Sequence, residues 1–365
     1  MPEHNLEEKQ MNKMTDRLKF VGRDNVKIYT EADFLRQQPK GPQWQDSAWL
    51  NWWDDKHKVG GIHRIGHEYN NPDCKGPMVA AWSSLATPKG VGRQVRYLPL
   101  REEDKLPNGW GGGDDSCKVE FDNDGSVWSI NDEASGVSAK LRFTDFHGAF
   151  RGFPSSGRTS EDIAPDHIDV TGRVTGTITM QGETFEADGL GVRDHGWGHR
   201  DYDRMRSHRY MSGTFGPDFS FVSWAVHNAV SDTIEIFGWV MKGDTAIFPT
   251  DIDMVTYTEI DSSSTRGGRI RYVLPDGEVI ESELIAAAPG FQNYFHNMPC
   301  LNTLCVATCN GRTGAGMLES SMNFHGGHRV PTRMQRGLVG AGFFPAIPEG
   351  QWNREGTPFI IKRTI

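Results

Sequence analysis

The densest chemistry in the sequence lies at residues 193–202, RDHGWGHRDY, where ten residues include two His, two Arg, two Asp, a Trp and a Tyr. Histidine beside aspartate is a common way to orient an imidazole as a general acid or base. Tryptophan is the best aromatic surface for a cation. These residue types are compatible with an acid–base site, a metal site or a structural corner that buries its Trp.

The spacing within this stretch divides its side chains into two sets. If the stretch is a strand, successive side chains alternate between two faces. The sets are then Asp194, Gly196, Gly198 and Arg200 on one face and His195, Trp197, His199 and Asp201 on the other. One face would therefore present two imidazoles, an indole and a carboxylate together, while the glycines indicate a bulge or a close approach to the backbone.

A metal site is the alternative that the histidines keep open. His195 and His199, with His208 downstream and Asp194 or Asp201 nearby, would supply the two imidazoles and one carboxylate of a non-haem iron site. The spacing matches neither a metal-binding His pair on a helix nor a familiar oxygenase pattern. We therefore predict no metal and no cofactor.

Two further clusters carry candidate substrate-binding residues. The first, NWWDDKHKVGGIHRIGHEYNNP at residues 51–72, is either a solvated loop anchored by Trp or a second wall of the same cavity. The second, at residues 202–227, contains the strand pattern FSFVSWAVH and polar groups suited to a cavity mouth. From these clusters and the central stretch we predict substrate contacts by Trp53, Asp54, His63, His199, Tyr202, Asp218, Phe221 and Trp224, and a catalytic role for Tyr210.

The elements that position these residues are predicted to be strands. Residues 168–180, IDVTGRVTGTITM, alternate strictly and end at Gln181 and Gly182, a turn that returns the chain towards the central stretch. Similar hairpins are predicted where Asp-Gly interrupts an alternating run, at residues 124–125 and 276–277. Short strands without intervening helices indicate an antiparallel all-β protein.

Composition limits the classes of partner. With 39 Lys and Arg against 48 Asp and Glu, the chain offers no basic surface for nucleic acid. Five cysteines, an odd number, indicate free thiols in a reducing compartment. No apolar run reaches the length of about 18 residues that spans a membrane, and the N-terminus has no signal-peptide core. We predict a cytoplasmic protein without stable membrane insertion.

The run GLGVRDHGWGHRDY, after a strand, a turn and a second strand, resembles the R-D-H-x-W-G signature of the carotenoid 1,2-hydratase and AttH-like superfamily. That resemblance implies two consecutive lipocalin-like antiparallel β-barrel domains with a largely apolar cavity near their junction. We place them at residues 46–190 and 191–365, after a short helical arm at 1–45 that contains the amphipathic segment EEKQMNKMTDRLKF.

The resemblance also implies an activity and roles for the signature. The family's hydratases need its His and Trp, which match His195 and Trp197; its downstream Tyr-x-Asp pair has no clean equivalent here. We expect a hydratase or dehydratase that acts on a terpenoid-like alcohol or alkene. Asp194 and His195 would be the acid–base pair and Trp197 would stabilise the carbocation, while two arginines, Arg193 and Arg200, position the carboxylates.

Two other functions remain open on the same fold. A lipocalin-like barrel commonly carries a hydrophobic ligand without catalysis, and an isomerase or cyclase would share the acid step but let carbon capture the cation. In each case the expected partner is a hydrophobic small molecule rather than nucleic acid. A homodimer is left open.

Overall fold

The computed structural model describes residues 14–323 except for gaps at 31–34, 42, 70–75, 123, 133–135, 156–161, 164, 259–264 and 296–297. It is almost entirely β-structure, arranged as two large curled sheets that form half-barrels. This confirms the predicted all-β, lipocalin-like pair. Within the described residues, no helix is long and apolar enough to cross a membrane.

The first sheet contains ten antiparallel strands. They are β2 (Trp44–Asp54), β3 (Val59–Glu68), β4 (Met78–Thr87), β5 (Gly90–Pro99), β6 (Gly109–Gly111), β7 (Cys117–Asp122), β8 (Gly125–Asp132), β9 (Val137–Asp145), β10 (Asp166–Met180) and β11 (Glu183–His199). Their spatial order is β5-β4-β3-β2-β11-β10-β9-β8-β7-β6. The long hairpin of β10 and β11 therefore occupies the middle of the sheet.

The second sheet contains eleven strands. They are β1 (Lys19–Val21), β12 (Met205–Thr214), β13 (Phe219–Asn228), β14 (Ile234–Lys242), β15 (Thr245–Ile247), β16 (Asp251–Thr258), β17 (Thr265–Val273), β18 (Val279–Ala286), β19 (Phe291–Phe295), β20 (Met298–Cys309) and β21 (Arg312–Met322). The order is β1-β15-β14-β13-β12-β21-β20-β18-β17-β16, with β19 beside β20. All pairs are antiparallel except β1 with β15.

The three predicted hairpins are confirmed as β7–β8, β10–β11 and β17–β18. At the turn between β10 and β11, Gln181 has φ 53° and Gly182 has φ 78°. Two successive positive φ values give the type I′ geometry that matches the twist of a tight hairpin. The turn therefore fixes the register of the two strands that carry the central stretch.

The N-terminal arm differs in part from the predicted helix. Residues 7–13 of the amphipathic segment lie outside the described residues, while Met14 and Thr15 are helical. The end of the segment forms β1, because Lys19 to Val21 pair with β15 at the edge of the second sheet. An edge strand that offers unpaired backbone groups overrides local helix propensity.

Three apolar clusters organise the interior. One fills the first half-barrel around Trp52, Trp110 and Phe143, and another fills the second around Phe221 and Tyr272. A third lies between the sheets and joins side chains of both, including Trp49, Trp53, Tyr210, Val222 and Trp239. The sheets therefore pack face to face, and their contact layer is where a shared site is built.

The two remaining predictions concern domains and thiols. β11 runs through the predicted boundary at residues 190 and 191, and all of it pairs within the first sheet, so the division into domains stays a prediction. Four cysteines, at positions 117, 300, 305 and 309, are buried free thiols. Cys74 lies outside the described residues.

Candidate active site

A small cavity of about 50 Å³ lies between the two sheets. Its lining is polar and aromatic and comes from both sides. The first sheet and the residue after β11 provide Ser47, Trp49, Arg64, His167, Asp194 and Arg200, and the second sheet provides Tyr210, Trp224 and Glu319. A concave site at the junction of two sheets with several converging polar groups is a typical place for a small-molecule site.

A second cavity of about 40 Å³ adjoins the first. The two share His167, Arg200, Trp224 and Glu319. The rest of the second lining is largely apolar and includes Phe153, Ile163, Tyr202, Met205 and Val226, beside His208. A polar compartment therefore continues into an apolar one, with the shared residues at their boundary.

Strand register brings the polar groups of the first sheet together. In the β10–β11 hairpin His167 lies opposite Gly196 and Asp169 lies opposite Asp194, and β2 places Trp49 opposite Asp194. Directly opposed residues of antiparallel strands share a face. The alternating pattern of β10 thus turns apolar side chains into the first half-barrel and His167 and Asp169 towards the second sheet.

His167 lies between two carboxylates. Its Nδ1 is 3.2 Å from Asp169 Oδ2 and its Nε2 is 3.4 Å from Asp194 Oδ2. Burial by itself would lower the pKa of His167, but the charges of Asp169 and Asp194 outweigh it and raise that pKa to about 9. Burial also raises the pKa of Asp169. The imidazole is therefore protonated at neutral pH and borders a cavity.

The opposite wall holds a second carboxylate and imidazole. His208 Nε2 lies 2.5 Å from Glu319 Oε1, and His208 Nδ1 lies 2.5 Å from Ser321 Oγ. Asn302 Nδ2 donates to the other Glu319 oxygen. Glu319 is 4% exposed and borders both cavities. A buried carboxylate needs such donors, because desolvation without hydrogen bonds is costly.

Aromatic rings join the two walls. The Trp224 ring lies 5.6 Å from His167, 5.4 Å from His208 and 4.7 Å from Tyr210, measured between ring centroids. Tyr210 also packs edge-on against Trp49 at 5.7 Å. Burial, followed by the charge of Asp169, raises the pKa of Tyr210 well above its ordinary value. Its phenol is therefore neutral and has no hydrogen bond of ordinary geometry among the described residues.

One glycine of the central stretch makes room for this arrangement. A Cβ at Gly196 would collide with the Arg200 guanidinium and lie 3.0 Å from His167 Cδ2. Because glycine has no Cβ, both side chains lie against the backbone of β11. The sequence signal of a close approach at this glycine therefore corresponds to two residues that line the cavity.

The structure distributes the predicted catalytic residues between two places. Asp194 and Tyr210 line the first cavity. The side chains of Arg193, His195 and Trp197 belong to the other face of β11 and line neither cavity. The predicted catalytic set is therefore divided by the two faces of a single strand.

The partners of the interior residues also differ from the predicted ones. His195 is fully buried, and its Nε2 lies 2.8 Å from Asp46 Oδ1 rather than beside Asp194. Adjacent residues of a strand point to opposite faces, so Asp194 and His195 cannot pair. Arg193 forms a two-pronged ion pair with Asp145, not with a carboxylate of the cavity.

Trp197 lies at the base of the first half-barrel. Its ring is 4.5 Å from His195 and 5.7 Å from Tyr29, and it packs against Ile168 and Val170. The indole is 6% exposed. Its surroundings are those of a core aromatic residue, and the rings that border the cavity are Trp49 and Trp224 instead.

The predicted substrate-binding residues are also dispersed. Trp224 borders both cavities and Tyr202 borders the second, with its hydroxyl donating to Gln45 Oε1 at 3.3 Å. His199 ends β11 and is half-buried. The other five border neither cavity. Trp53 lies in the layer between the sheets, His63 lies inside the first half-barrel and Phe221 lies in the core of the second. Asp54 pairs with His57 at the β2–β3 turn, and Asp218 forms a surface ion pair with Arg312.

Two groups of side chains in the described part of the chain bring metal-ligating atoms within 4.8 Å of one another. They are His167, Asp169 and Asp194, and His208, Cys300 and Glu319. In the first group the two imidazole nitrogens approach different carboxylates, Nδ1 at 3.2 Å from Asp169 and Nε2 at 3.4 Å from Asp194. In the second, burial and then Glu319 raise the pKa of the Cys300 thiol well above its ordinary value. A metal would have to displace that proton.

The histidines of the iron site that was weighed as an alternative are not gathered. His195 lies inside the first half-barrel, whereas His208 pairs with Glu319 in the second sheet. β11 and the second sheet place these two imidazoles on different sides of the contact layer. The two-histidine set is therefore not present as predicted.

Sequence reasoning missed His167, Asp169 and Glu319. The first two carried a signal, because they occupy the non-apolar face of β10, the clearest strand pattern in the sequence. Most other side chains on that face carry hydroxyl groups, so a His-x-Asp pair is unusual there. Glu319 gave no local signal, since its role depends on the pairing of β21 with β12 and β20.

Comparison with known proteins identifies related folds. The model of a domain of unknown function, DUF7064, matches residues 30–324. A search of curated proteins finds no match. An AttH-like structure from Nitrosomonas europaea aligns with TM-score 0.59 and 12% identity, covering 83% of this chain and 99% of that one.

Two other solved structures show the same architecture. CghA in complex with Sch210972 aligns with TM-score 0.57 and 9% identity over 79% of this chain and 90% of its own. Kievitone hydratase from Nectria haematococca aligns with TM-score 0.52 and 10% identity over 84% of this chain and 97% of its own. At these identities the likeness establishes a shared fold.

Proposed function

Since the chain belongs to the DUF7064 family, whose model matches most of its length, we propose from its site that it is a cofactor-independent lyase. It would act as a hydratase or dehydratase on a terpenoid-like alcohol or alkene. The observation that carries this proposal is the position of His167 between Asp169 and Asp194, whose charges raise its pKa, at the wall of an aromatic-lined cavity. Kievitone hydratase, which is named as a hydratase, has the same fold.

His167 is the proposed acid. An imidazolium between two carboxylates is oriented at both nitrogens, and after it gives up a proton it would be recharged by one that enters from the cavity through Asp194. In dehydration it would protonate the substrate hydroxyl, the C–O bond would break and water would leave. Asp194, whose side chain is 14% exposed, is the more accessible of the two carboxylates and would exchange the proton with the cavity.

The aromatic lining suits the charge that this step creates. Loss of water from a tertiary or allylic alcohol leaves a carbocation, which ring faces attract within about 6 Å. Trp49, Tyr210 and Trp224 provide such faces around the first cavity. Few water molecules fit a cavity of about 50 Å³, so unwanted capture of the cation is limited.

The size of the cavities sets a condition on binding. Sites for drug-sized ligands usually measure about 300–1,000 Å³, whereas these measure about 50 and 40 Å³. We therefore expect the substrate to widen the apolar compartment between Phe153, Met205 and Val226 when it binds. The reacting hydroxyl would lie at the boundary that His167 and Glu319 share.

The test supplies monoterpene and sesquiterpene tertiary alcohols in water labelled with oxygen-18. Mass spectrometry then measures alkene formation and uptake of the label into the remaining alcohol. We expect the wild-type protein to form alkene from at least one alcohol, and His167→Gln to lower that rate by about 10²–10⁴-fold. The matched control is His227→Gln, because His227 pairs with Asp232 at the surface, away from the cavity.

Three results would separate the alternatives. Ligand binding by the wild-type protein without alkene or label uptake would favour a carrier. Formation of rearranged or cyclic hydrocarbon without water exchange would favour an isomerase or cyclase. Equal turnover by the wild-type protein and His167→Gln would remove His167 from the chemistry.

A further inference from the structure

Glu319 lies where a second proton-transfer group is needed. Loss of water from an alcohol requires an acid at oxygen and a base at the neighbouring carbon. On the β10–β11 hairpin, Asp169 and Asp194 both lie against His167 and so serve the acid. Glu319 belongs to β21 of the second sheet, borders both cavities and so occupies the wall across from His167. Its register places it opposite Tyr210 on one neighbouring strand and Asn302 on the other.

The hydrogen bonds of Glu319 suit a carboxylate that stays available as a base. His208 Nε2 contacts one oxygen at 2.5 Å, and Asn302 donates to the other. Ser321 Oγ contacts His208 Nδ1, and Asn293 contacts Asn302 Oδ1 at 2.8 Å, so both partners of the carboxylate are themselves held in place. These bonds, together with that of the Cys300 thiol to Glu319, fix the carboxylate against the cavity wall.

We propose that Glu319, positioned by His208, is the base that removes the carbon-bound proton in this reaction. The inference rests on the proposed function. After His167 has protonated the hydroxyl and water has left, the electron pair of the adjacent C–H bond becomes the C=C bond and its proton passes to Glu319. In hydration the same steps run in reverse, with protonated Glu319 giving its proton to the alkene carbon and His167 taking one from the attacking water.

The chemistry of the two groups favours His167 as the acid and Glu319 as the base. A C–H bond beside a carbocation is strongly acidic, so a carboxylate is a sufficient base for it. A neutral alcohol needs a positioned donor, which the imidazolium of His167 supplies. The Trp224 ring lies 5.6 Å from His167 and 5.4 Å from His208, and so marks the space between the two groups where the cation would form.

One experiment can measure the acid step and the base step separately. Label uptake from oxygen-18 water into the alcohol reports departure and return of water, and therefore the acid step. Alkene formation reports removal of the carbon-bound proton. The ratio of alkene formation to label uptake does not depend on how much of a variant folds, because both are measured on the same active molecules.

The variants are Glu319→Gln and His208→Gln, with Glu278→Gln as the control, because Glu278 forms an ion pair with Lys242 at the surface. We expect Glu319→Gln to keep label uptake and to lower the ratio at least about 100-fold. His208→Gln should lower the ratio less, about 10-fold, because an amide can still donate to Glu319. The control should leave the ratio unchanged.

Two outcomes would contradict the inference. If Glu319→Gln and His208→Gln both keep the wild-type ratio, Glu319 is not the base. If Glu319→Gln loses label uptake and alkene formation in equal proportion, it contributes to structure or to the acid step instead. Absence of both signals from the wild-type protein would count against the proposed function itself, which is a different failure.

Discussion

The two faces of β11 carry similar residue types in different surroundings. Towards the first half-barrel, Arg193 and His195 each bind one buried carboxylate and are enclosed by aromatic rings. Towards the second sheet, Asp194 borders a cavity together with His167, whose ring lies against Gly196. Both faces hold ionisable groups, but in the part of the chain that the structure describes the two cavities border the second face.

The comparison shows that density of charged and aromatic residues does not by itself mark a reactive site. Arg193 and Asp145 satisfy each other through two bonds, and the Asp46 carboxylate lies against both His195 and the Gln37 backbone amide. Such pairs fix the centre of the sheet. On the cavity face one imidazole is shared by two carboxylates, so its proton has two acceptors and a neighbouring space.

The largest expected effect on stability lies on the interior face. Arg193→Met should leave Asp145, whose side chain is 9% exposed, as an uncompensated carboxylate and lower the free energy of unfolding by about 3–5 kcal/mol. Urea unfolding measures this change. Arg173→Met is the matched control, since Arg173 forms the same two-pronged pair with Asp188 on the surface; exposed pairs contribute about 0–1 kcal/mol. Equal effects of the two substitutions would contradict the contrast.

A smaller effect is expected at His195. His195→Gln weakens one buried bond to Asp46 and should lower the free energy of unfolding by about 1–3 kcal/mol. Turnover per folded molecule should remain within a few-fold of wild type, because His195 borders neither cavity. Thermal melting and the alkene assay give the two numbers. If His195→Gln loses as much turnover as His167→Gln, the chemistry resides on the interior face, as the sequence alone predicted.

The sequence predicted the strands better than the contacts between them. Alternation located β10, β13 and three hairpins, because period-two burial is a local property of a strand. It also separated Asp194 from His195 by face. What it could not give was which face meets the second sheet, since that depends on packing between segments far apart in the chain.

The site illustrates the same limit at the level of residues. Asp194 and Tyr210 were predicted and lie at the cavity. His167 could have been predicted, because the turn at Gln181 and Gly182 fixes the register of the hairpin. That register sets Asp169 opposite Asp194 and His167 opposite Gly196. Glu319 could not have been predicted, because its position at the cavity depends on how the strands pair and how the two sheets pack. The family signature pointed to residues 193–202, the most distinctive run, and not to His167 and Asp169 on the other strand of the hairpin.

The two regions should also respond differently to pH. The pKa of His167 is raised from 6.5 to about 9, so its stabilising charge is fully present below about pH 6.5 and is lost as the pH rises through about 9. Burial lowers the pKa of His63, inside the first half-barrel, to about 3. Its contribution is present above about pH 6.5 and is lost as the pH falls towards about 3.

Urea unfolding of the wild-type protein, His167→Gln and His63→Gln across this range tests the contrast. The stability difference between wild type and His167→Gln should shrink on the alkaline side. The difference between wild type and His63→Gln should shrink on the acid side. Parallel curves for both variants would mean that the carboxylates around His167 do not hold its proton.

The smallest expected effect comes from Gly196, where the side chains of Arg200 and His167 lie against β11. A Cβ in Gly196→Ala would meet the Arg200 guanidinium, the mobile end of a long side chain, and His167 Cδ2 at 3.0 Å. The arginine can move at little cost, so we expect a change in unfolding free energy below about 1 kcal/mol. The imidazole, held by two carboxylates, must shift by a fraction of an ångström, and a misplaced acid should slow turnover about 10-fold. Gly41→Ala, with no atom within 4 Å of the added Cβ, is the control. A Gly196→Ala protein that loses stability but keeps its rate would show that this glycine serves the packing of β11 and not the placement of His167.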